Sequence, residues 1–393
     1  MTGSAKSGNR LALQVAVATL ARLTINIGHR MVYPFLPAIA RGLNISLQTA
    51  GVLMTARAAV GLVAPFFGPA SDRWGRRRMM VAGLAIFIGG AAFVVVFPRY
   101  PVVAVGFVLL GLSKVIFDPS LHAYLADRVP YRRRGRAIAF TELAWGGAIL
   151  VGAPAMGWII AQSGWSAPFA ALVGMGLIGL IGLLGALPRD ARPPGDLAPA
   201  PSFWLAFRLV LGNRAAVAVL AITCLVMVAN ELLFLIFGTW MESSFGLSIT
   251  RLGLATAVIG IAELIGEIGV GGLVDRLGKR RSVAIGLGLT AAGYVALAMN
   301  SADLGAALIW LFALFICFEF MIVATIPLVT ELVPAARGTM LSLNLASSSL
   351  GRAIGALIAP SLWMMGGMLW NGLAAGAITL CALGLLLGYI HEG

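Results

Sequence analysis

The chain has 393 residues, of which 60% are hydrophobic and only 11% charged, with a formal net charge of +13. A soluble globular protein carries roughly twice that charged fraction, so a water-soluble fold is excluded. Apolar runs of about 20 residues recur, enough to cross a bilayer as helix, whereas a membrane β-barrel would show short alternating segments.

The first apolar run follows Lys6 and Arg10 and contains Arg22 and Arg30. It has no small-residue cleavage site before Pro34, so it reads as a first span and not as a signal peptide. Twelve spans are expected, at about 11–36, 48–69, 79–98, 101–125, 137–160, 167–187, 214–238, 250–272, 282–300, 303–329, 339–362 and 367–390. The fold class is therefore an all-α polytopic membrane protein. With the N-terminus inside, most of the 28 Lys and Arg gather on one face, among them residues 76–78, 132–134, Arg280 and Arg281. Arg41, Arg99 and Arg251 lie on the other. This asymmetry puts both termini in the cytoplasm and accounts for the net charge without a nucleic-acid partner.

A polar loop between spans two and three reads Gly68-Pro-Ala-Ser-Asp72-Arg73-Trp-Gly75-Arg76-Arg77-Arg78. It returns between spans eight and nine as Gly271-Gly-Leu-Val-Asp275-Arg276-Leu-Gly278-Lys279-Arg280-Arg281, with the same spacing. Gly75 permits a tight reversal, and the cations hold the loop at the anionic membrane face. Asp72 lies near a helix end where an acid is poorly placed for the dipole; it needs a cation, and Arg73 and Arg76 are at hand.

Further matches recur at a similar offset. Gly42-Leu-Asn44-Ile-Ser46 matches Gly246-Leu-Ser248-Ile-Thr250, and Asp127-Arg-Val-Pro130 matches Glu331-Leu-Val-Pro334. The chain is thus built twice in one orientation: a six-span half at 1–187, a cytoplasmic linker at 188–213 and a second half at 214–393. The linker is Pro-rich and polar up to Pro201. Phe203, Trp204 and Phe207 beside Arg208 then suit either a short interfacial helix or the start of span seven. Cys224, Cys317 and Cys381 lie in apolar runs without metal-ligand spacing, and no cofactor or metal is expected.

Arg22, Arg30, Arg57, Lys114, Asp118, Glu142, Glu231, Glu263, Glu267, Glu319 and Arg352 fall within spans. A central charge costs roughly 2.5–3.5 kcal/mol on insertion scales unless paired or facing water, so this set predicts a polar cavity. Most of these cations belong to the first half and most of the acids to the second. Opposite signs would attract across a central cavity, suit a substrate carrying both charge types, or form an acid–cation switch.

Lys114 and Asp118 are four apart and share a helix face, which His122 continues toward the cytoplasm. Glu263 and Glu267 are likewise four apart, and two acids that close make a candidate proton carrier. Both pairs have a structural alternative: Lys114–Asp118 neutralises itself, and Glu267 caps against Arg276 or Arg281. Arg30, Arg57 and Arg352 suit an anionic group through bidentate contact, or pair with Glu231, Glu319 or Glu142. Asn26, Asn230, Asn344 and Gln14 are candidate cavity polars. His29 is expected at the interface, Glu142 in a cytoplasmic ion-pair network with Arg136, and Trp145 in packing.

The Gly68-x3-Asp72-Arg73-x-Gly75-Arg76-Arg77 run, its duplicate and the layout of twelve spans in two parallel halves resemble the major facilitator superfamily. The resemblance implies a secondary transporter working by alternating access. It also implies a cytoplasmic latch favouring the outward-facing state, carried by Gly68, Asp72, Arg73, Gly75 and Arg76 and, in the second copy, by Asp275, Arg276 and Gly278. Gly147, Gly152, Pro154 and Gly157 resemble that superfamily's antiporter motif in span five, with looser spacing and an expected bend.

The chain departs from the drug-exporter pattern in two places. Lys114 stands in span four without the early Arg, and Asn26 lies near the place of an acid in span one. The function expected is proton-coupled export of a small amphiphilic or drug-like solute across the inner (plasma) membrane by a monomer. The alternative is proton-coupled uptake of an organic anion or zwitterion. No protease, metalloenzyme or nucleotide-binding motif occurs, so no enzyme is expected.

Overall fold

The computed structural model describes residues 2–189 and 203–390, without the side chains of residues 2–9, 68–70, 72, 131–136, 203, 269–273 and 275. In hydrocarbon every backbone polar group must be paired within its own segment, and the apolar runs accordingly become helices. Eleven helical stretches are long and apolar enough to cross a membrane. The last, Pro334–Tyr389, holds two spans, because Gly366 (φ −171°, ψ 30°) and Gly367 (φ 61°, ψ −146°) break its helix. The twelve spans form two parallel six-helix bundles.

Prolines interrupt three spans of the first half. Span one is Thr2–Arg30 continued by Val32–Leu43; Pro34 has no N–H for the Arg30 carbonyl, and the helix turns at Met31. Span two is Leu47–Ala59, a tighter turn at Val60–Val63, and Ala64–Trp74, with Pro65 removing the bond to Gly61. Span five is Tyr131–Gly147, a widened π turn at Ala148–Gly152, and Ala153–Ser163. Pro154 takes away the bond to Leu150 there, which is the bend expected from the Gly/Pro spacing. Spans three (Arg76–Val96), four (Tyr100–Arg128) and six (Ala167–Ala186) complete this half.

In the second half, spans seven (Arg214–Phe245), eight (Ile249–Leu277), nine (Lys279–Met299) and ten (Leu304–Glu331) are unbroken. Phe203–Gly212 is a separate helix, the first of the two alternatives read from sequence. It ends before Asn213, whose side chain accepts from the N–H groups of Ala215 and Ala216 and caps span seven. Ala206 and Val210 are buried, while Trp204, Leu205 and Leu209 stay exposed, as on a helix lying in the membrane interface.

The two copies of the polar loop share one conformation. Gly75 (φ 97°) and Gly278 (φ 86°) reverse the chain in a region that favours glycine. The first cation after each glycine pairs with the acid near the end of span four or span ten. Arg76 Nε lies 3.2 Å from Asp127 Oδ2, and Lys279 Nζ lies 2.6 Å from Glu331 Oε1. The second cation holds the last span of the same half, Arg77 donating to the Leu184 carbonyl at 2.7 Å and Arg280 to Leu387 at 3.2 Å. Each half is therefore braced at the end where the chain termini lie, here called the terminal end. Arg76 also reaches the Ser71 hydroxyl at 3.2 Å. Arg73 and Arg276 are exposed, and the side chains of Gly68, Asp72 and Asp275 lie outside the described residues.

The other matched loop differs in register from the sequence reading. Asn44 (φ 53°) and Gly246 (φ 62°) are the equivalent left-handed helix ends, and Ser46 and Ser248 are the equivalent N-caps. What aligns the loops is the residue tolerating the left-handed turn and the capping hydroxyl, not the shared Gly-Leu.

The halves meet along spans two and eleven and along five and eight. At the end remote from the termini, spans one and seven close together. Gly238 packs on the Pro34 carbonyl there, and Arg41 holds Glu242 through contacts of 2.7 and 3.1 Å.

Candidate functional site

A cavity of about 120 Å³ lies where the halves face each other; of the intramembrane charges Arg30, Glu263, Glu319 and Arg352 line it, and the paired charges sort into three groups. The first belongs wholly to the N-terminal half. Arg22 donates to Glu142 Oε1 at 2.8 Å, to Asp118 Oδ1 at 3.3 Å and to the Thr141 carbonyl at 2.9 Å. Lys114 Nζ holds Asp118 Oδ2 at 2.6 Å, the four-apart contact its spacing predicts, and Asn26 Oδ1 at 2.7 Å. Asn26 in turn donates to the Ala144 carbonyl at 3.2 Å. Glu142 ties span five to span one through Arg22, with His122 Nε2 at 3.1 Å; the Arg136 side chain expected beside it lies outside the described residues.

The second group crosses between the halves. Arg30 grips Glu263 with both guanidinium nitrogens, at 2.5 and 2.6 Å, and the two side chains are only 3% and 5% exposed. Arg30 also donates to the Trp145 carbonyl at 3.1 Å and lies 4.2 Å over its ring, which Lys114 approaches at 4.9 Å. Trp145 is therefore a cavity wall between two cations, and the packing role expected of it is corrected. Backbone geometry makes the reach possible. Gly260 of span eight lies against the π turn of span five, where a Cβ would stand 2.8 Å from the Leu150 nitrogen. That close approach brings Glu263, one turn on, up to Arg30.

The third group lies toward spans seven and eleven. Tyr33 Oη donates to Glu231 Oε2 at 3.1 Å, and Arg352 Nη1 meets the same oxygen at 3.2 Å. Arg352 also stands 3.5 Å from Asn230 Oδ1. Arg57 donates to the His29 carbonyl at 2.8 Å and lies 5.0 Å over the Tyr33 ring, with no carboxylate partner among the described residues. His29 lines the cavity and is not interfacial, because Arg30 on the adjacent position turns that face of span one inward.

Two acids keep no hydrogen bond or ion pair among the described residues. Glu319 is 9% exposed and lines the cavity; Glu267 is half-buried and caps neither Arg276 nor Arg281. A Cβ on Gly266 would stand 3.0 Å from Glu319 Cβ, so spans eight and ten touch where these acids gather. Gln14 and Asn344 accept from Tyr124 and Thr223 and do not line the cavity, whereas Asn230 does. Tyr33, Phe234 and Phe318 were not singled out from sequence, although Tyr33 lies three residues after Arg30 on the same helix face.

The family model described as Major Facilitator Superfamily matches residues 18–236 and 219–392. The uncharacterized MFS-type transporter YceJ of Bacillus subtilis (strain 168) is 26% identical over 333 residues, covering 84% of each chain. The class C tetracycline resistance protein of Escherichia coli is 28% identical over 307 residues, covering 75% of this chain and 74% of its own. The crystal structure of a D-xylose-proton symporter superposes with a TM-score of 0.82 at 19% identity, covering 97% of this chain and 98% of that one.

Proposed function

The chain belongs to the major facilitator superfamily, and from that premise we propose that it exports a small amphiphilic or drug-like solute in exchange for protons. At the coarser level it is an integral membrane transporter of a small molecule and not an enzyme. The observation that carries the finer reading is the bidentate Arg30–Glu263 pair, buried and shared between the halves. Rocking the halves apart on one side must loosen that pair, and stripping a buried charge of its partner costs about 3–5 kcal/mol. A proton on Glu263, or a charged substrate beside it, removes that penalty and so couples movement to ligand. Glu319 and Glu267, without partners among the described residues, are the further carboxyls available to protons. Arg352 lines the cavity with Glu231 and Arg57 behind it, and Asn26, Lys114, Asp118 and Glu142 form the charge group of the first half outside that lining.

In this reading the terminal end is cytoplasmic, as the basic loops favour, and the protein sits as a monomer in the inner membrane. The domains are 1–187 and 214–393, joined by a cytoplasmic linker at 188–213. The two polar loops latch that end, Gly68, Asp72, Arg73, Gly75 and Arg76 in one copy and Asp275, Arg276 and Gly278 in the other. The likeness to a tetracycline resistance protein supports export. The second reading, proton-coupled uptake of an organic anion or zwitterion, draws on Arg57, a buried cation with no carboxylate partner among the described residues.

Proteoliposomes with an imposed pH gradient test the proposal. A panel of cationic, zwitterionic and anionic amphiphiles is added, and internal pH is read for the protein and for Glu263→Gln. One compound dissipating the gradient, with the variant inert, is the expected result, and the direction of flux separates export from uptake. Solute crossing without proton movement would sink proton coupling.

A further inference from the structure

Charge does not cancel evenly around the cavity. Toward spans two and eleven, two guanidinium groups share one carboxylate. Arg352 meets Glu231 through a single nitrogen at 3.2 Å, and Arg57, 2% exposed, has no acid of its own among the described residues. Beside them the Asn230 side chain is buried at 1% residue exposure and lines the cavity; among the described residues its nitrogen faces only the neutral, buried Tyr294 hydroxyl. These are donors without a matching anion. Toward spans eight and ten the surplus is reversed. Arg30 is committed to Glu263 by two bonds, while Glu319, with Glu263, Glu267, Glu142 and Arg30 as its charged neighbours, has no contact that neutralises it. The apolar part of the same lining includes Trp145, Phe234 and Phe318.

We propose that the cavity takes a zwitterionic small molecule, its anionic group on Arg352 and the Asn230 amide nitrogen, its cationic group on Glu319, and its apolar body against Trp145, Phe234 and Phe318. A simple anion leaves Glu319 buried without a partner and adds another negative charge near it. A simple cation leaves the Arg57–Arg352 surplus unanswered. Only a ligand with both charges satisfies both regions at once, and unmatched buried groups are what a binding site rejects most strongly. Glu319 then carries either the ligand's cation or a proton, so the two compete there. This assignment rests on the transporter reading above and narrows its substrate class.

The test uses purified protein and three matched series of increasing charge separation, built on phenylalanine, 3-(aminomethyl)benzoic acid and 4-(aminomethyl)phenylacetic acid: the free amino acid as zwitterion, the methyl ester as cation and the N-acetyl derivative as anion. Binding is read by ligand-induced thermal stabilisation and by tryptophan fluorescence. In at least one series the zwitterion binds about tenfold or more tightly than either singly charged form, as expected for a charge-assisted hydrogen bond gained at each end. Glu319→Gln weakens the zwitterion and strengthens the anion, so that the two bind about equally. Asn230→Ala, which keeps Arg352 on Glu231, weakens the zwitterion and the anion but not the cation.

A singly charged form binding best in every series, or no member binding at all, overturns the assignment. Proton-coupled flux of a singly charged amphiphile in the proteoliposome assay would also overturn it while leaving the transporter reading intact. Solute flux without proton movement would remove the coupling itself.

Discussion

The charge group of the N-terminal half and the one shared between the halves use the same residue types and do different things. Arg22, Lys114, Asp118, Glu142 and His122 lie on spans one, four and five of a single bundle and neutralise one another there. Nothing in a rocking motion requires those contacts to break. Arg30 and Glu263 reach across the boundary between bundles, as does Tyr33 to Glu231, and in the proposed rocking motion a change of access strains them. Pairing alone therefore does not tell a brace from a switch; what tells them apart is whether the partners belong to one moving body.

The comparison is broken most directly at Arg30. Arg30→Gln leaves Glu263 buried without its cation and is expected to lower stability by about 3–5 kcal/mol. Adding Glu263→Gln recovers most of the melting temperature but no proton-coupled flux; a double variant that still couples would show the pair to be a brace. Asp118→Asn is expected to cost less, about 1–3 kcal/mol. Glu142 still holds Arg22 and Asn26 still holds Lys114, so flux falls less than the stability change suggests and the proton-to-solute ratio stays constant. A changed ratio would move this group into the coupling machinery.

Tyr33→Phe removes one bond to Glu231 while Arg352 remains, and about 1 kcal/mol is expected, read as a weaker apparent affinity with little change in maximal rate. The smallest effect belongs to Arg41→Gln. That arginine is 61% exposed, so its ion pair with Glu242 contributes at most about 1 kcal/mol. The expected result is an unchanged melting temperature and modestly greater thiol labelling of a cysteine introduced near Pro34. Protection equal to that of the parent would deny the pair any part in closing that end.

The bilayer made the fold legible. Apolar runs have no alternative to helix in hydrocarbon, and the duplicated polar loop marked the two halves, so spans, repeat and the Gly75 reversal followed from the chain alone. The charged members of the site were legible too, because a charge in an apolar run stands out. Their partners were not. Arg30 and Glu263 are 233 positions apart, and a span apolar all round does not say which face turns inward. For that reason Trp145 and His29 looked like packing and interface, and Tyr33 was passed over. The register of the Asn44 loop was missed because two shared residues outweighed the left-handed turn that governs it.

The proline interruptions fall in spans one, two and five, while their counterparts seven and eight run unbroken. A helix missing a backbone bond bends at little cost, and a complete one resists. Strain from opening the cavity should thus collect in spans one, two and five more than in seven and eight, although span eleven, the counterpart of five, carries Pro360 of its own. In time-resolved amide exchange, the segments around Met31, Val60–Val63 and Ala148–Gly152 should lose protection first, and the long helices Arg214–Phe245 and Ile249–Leu277 last.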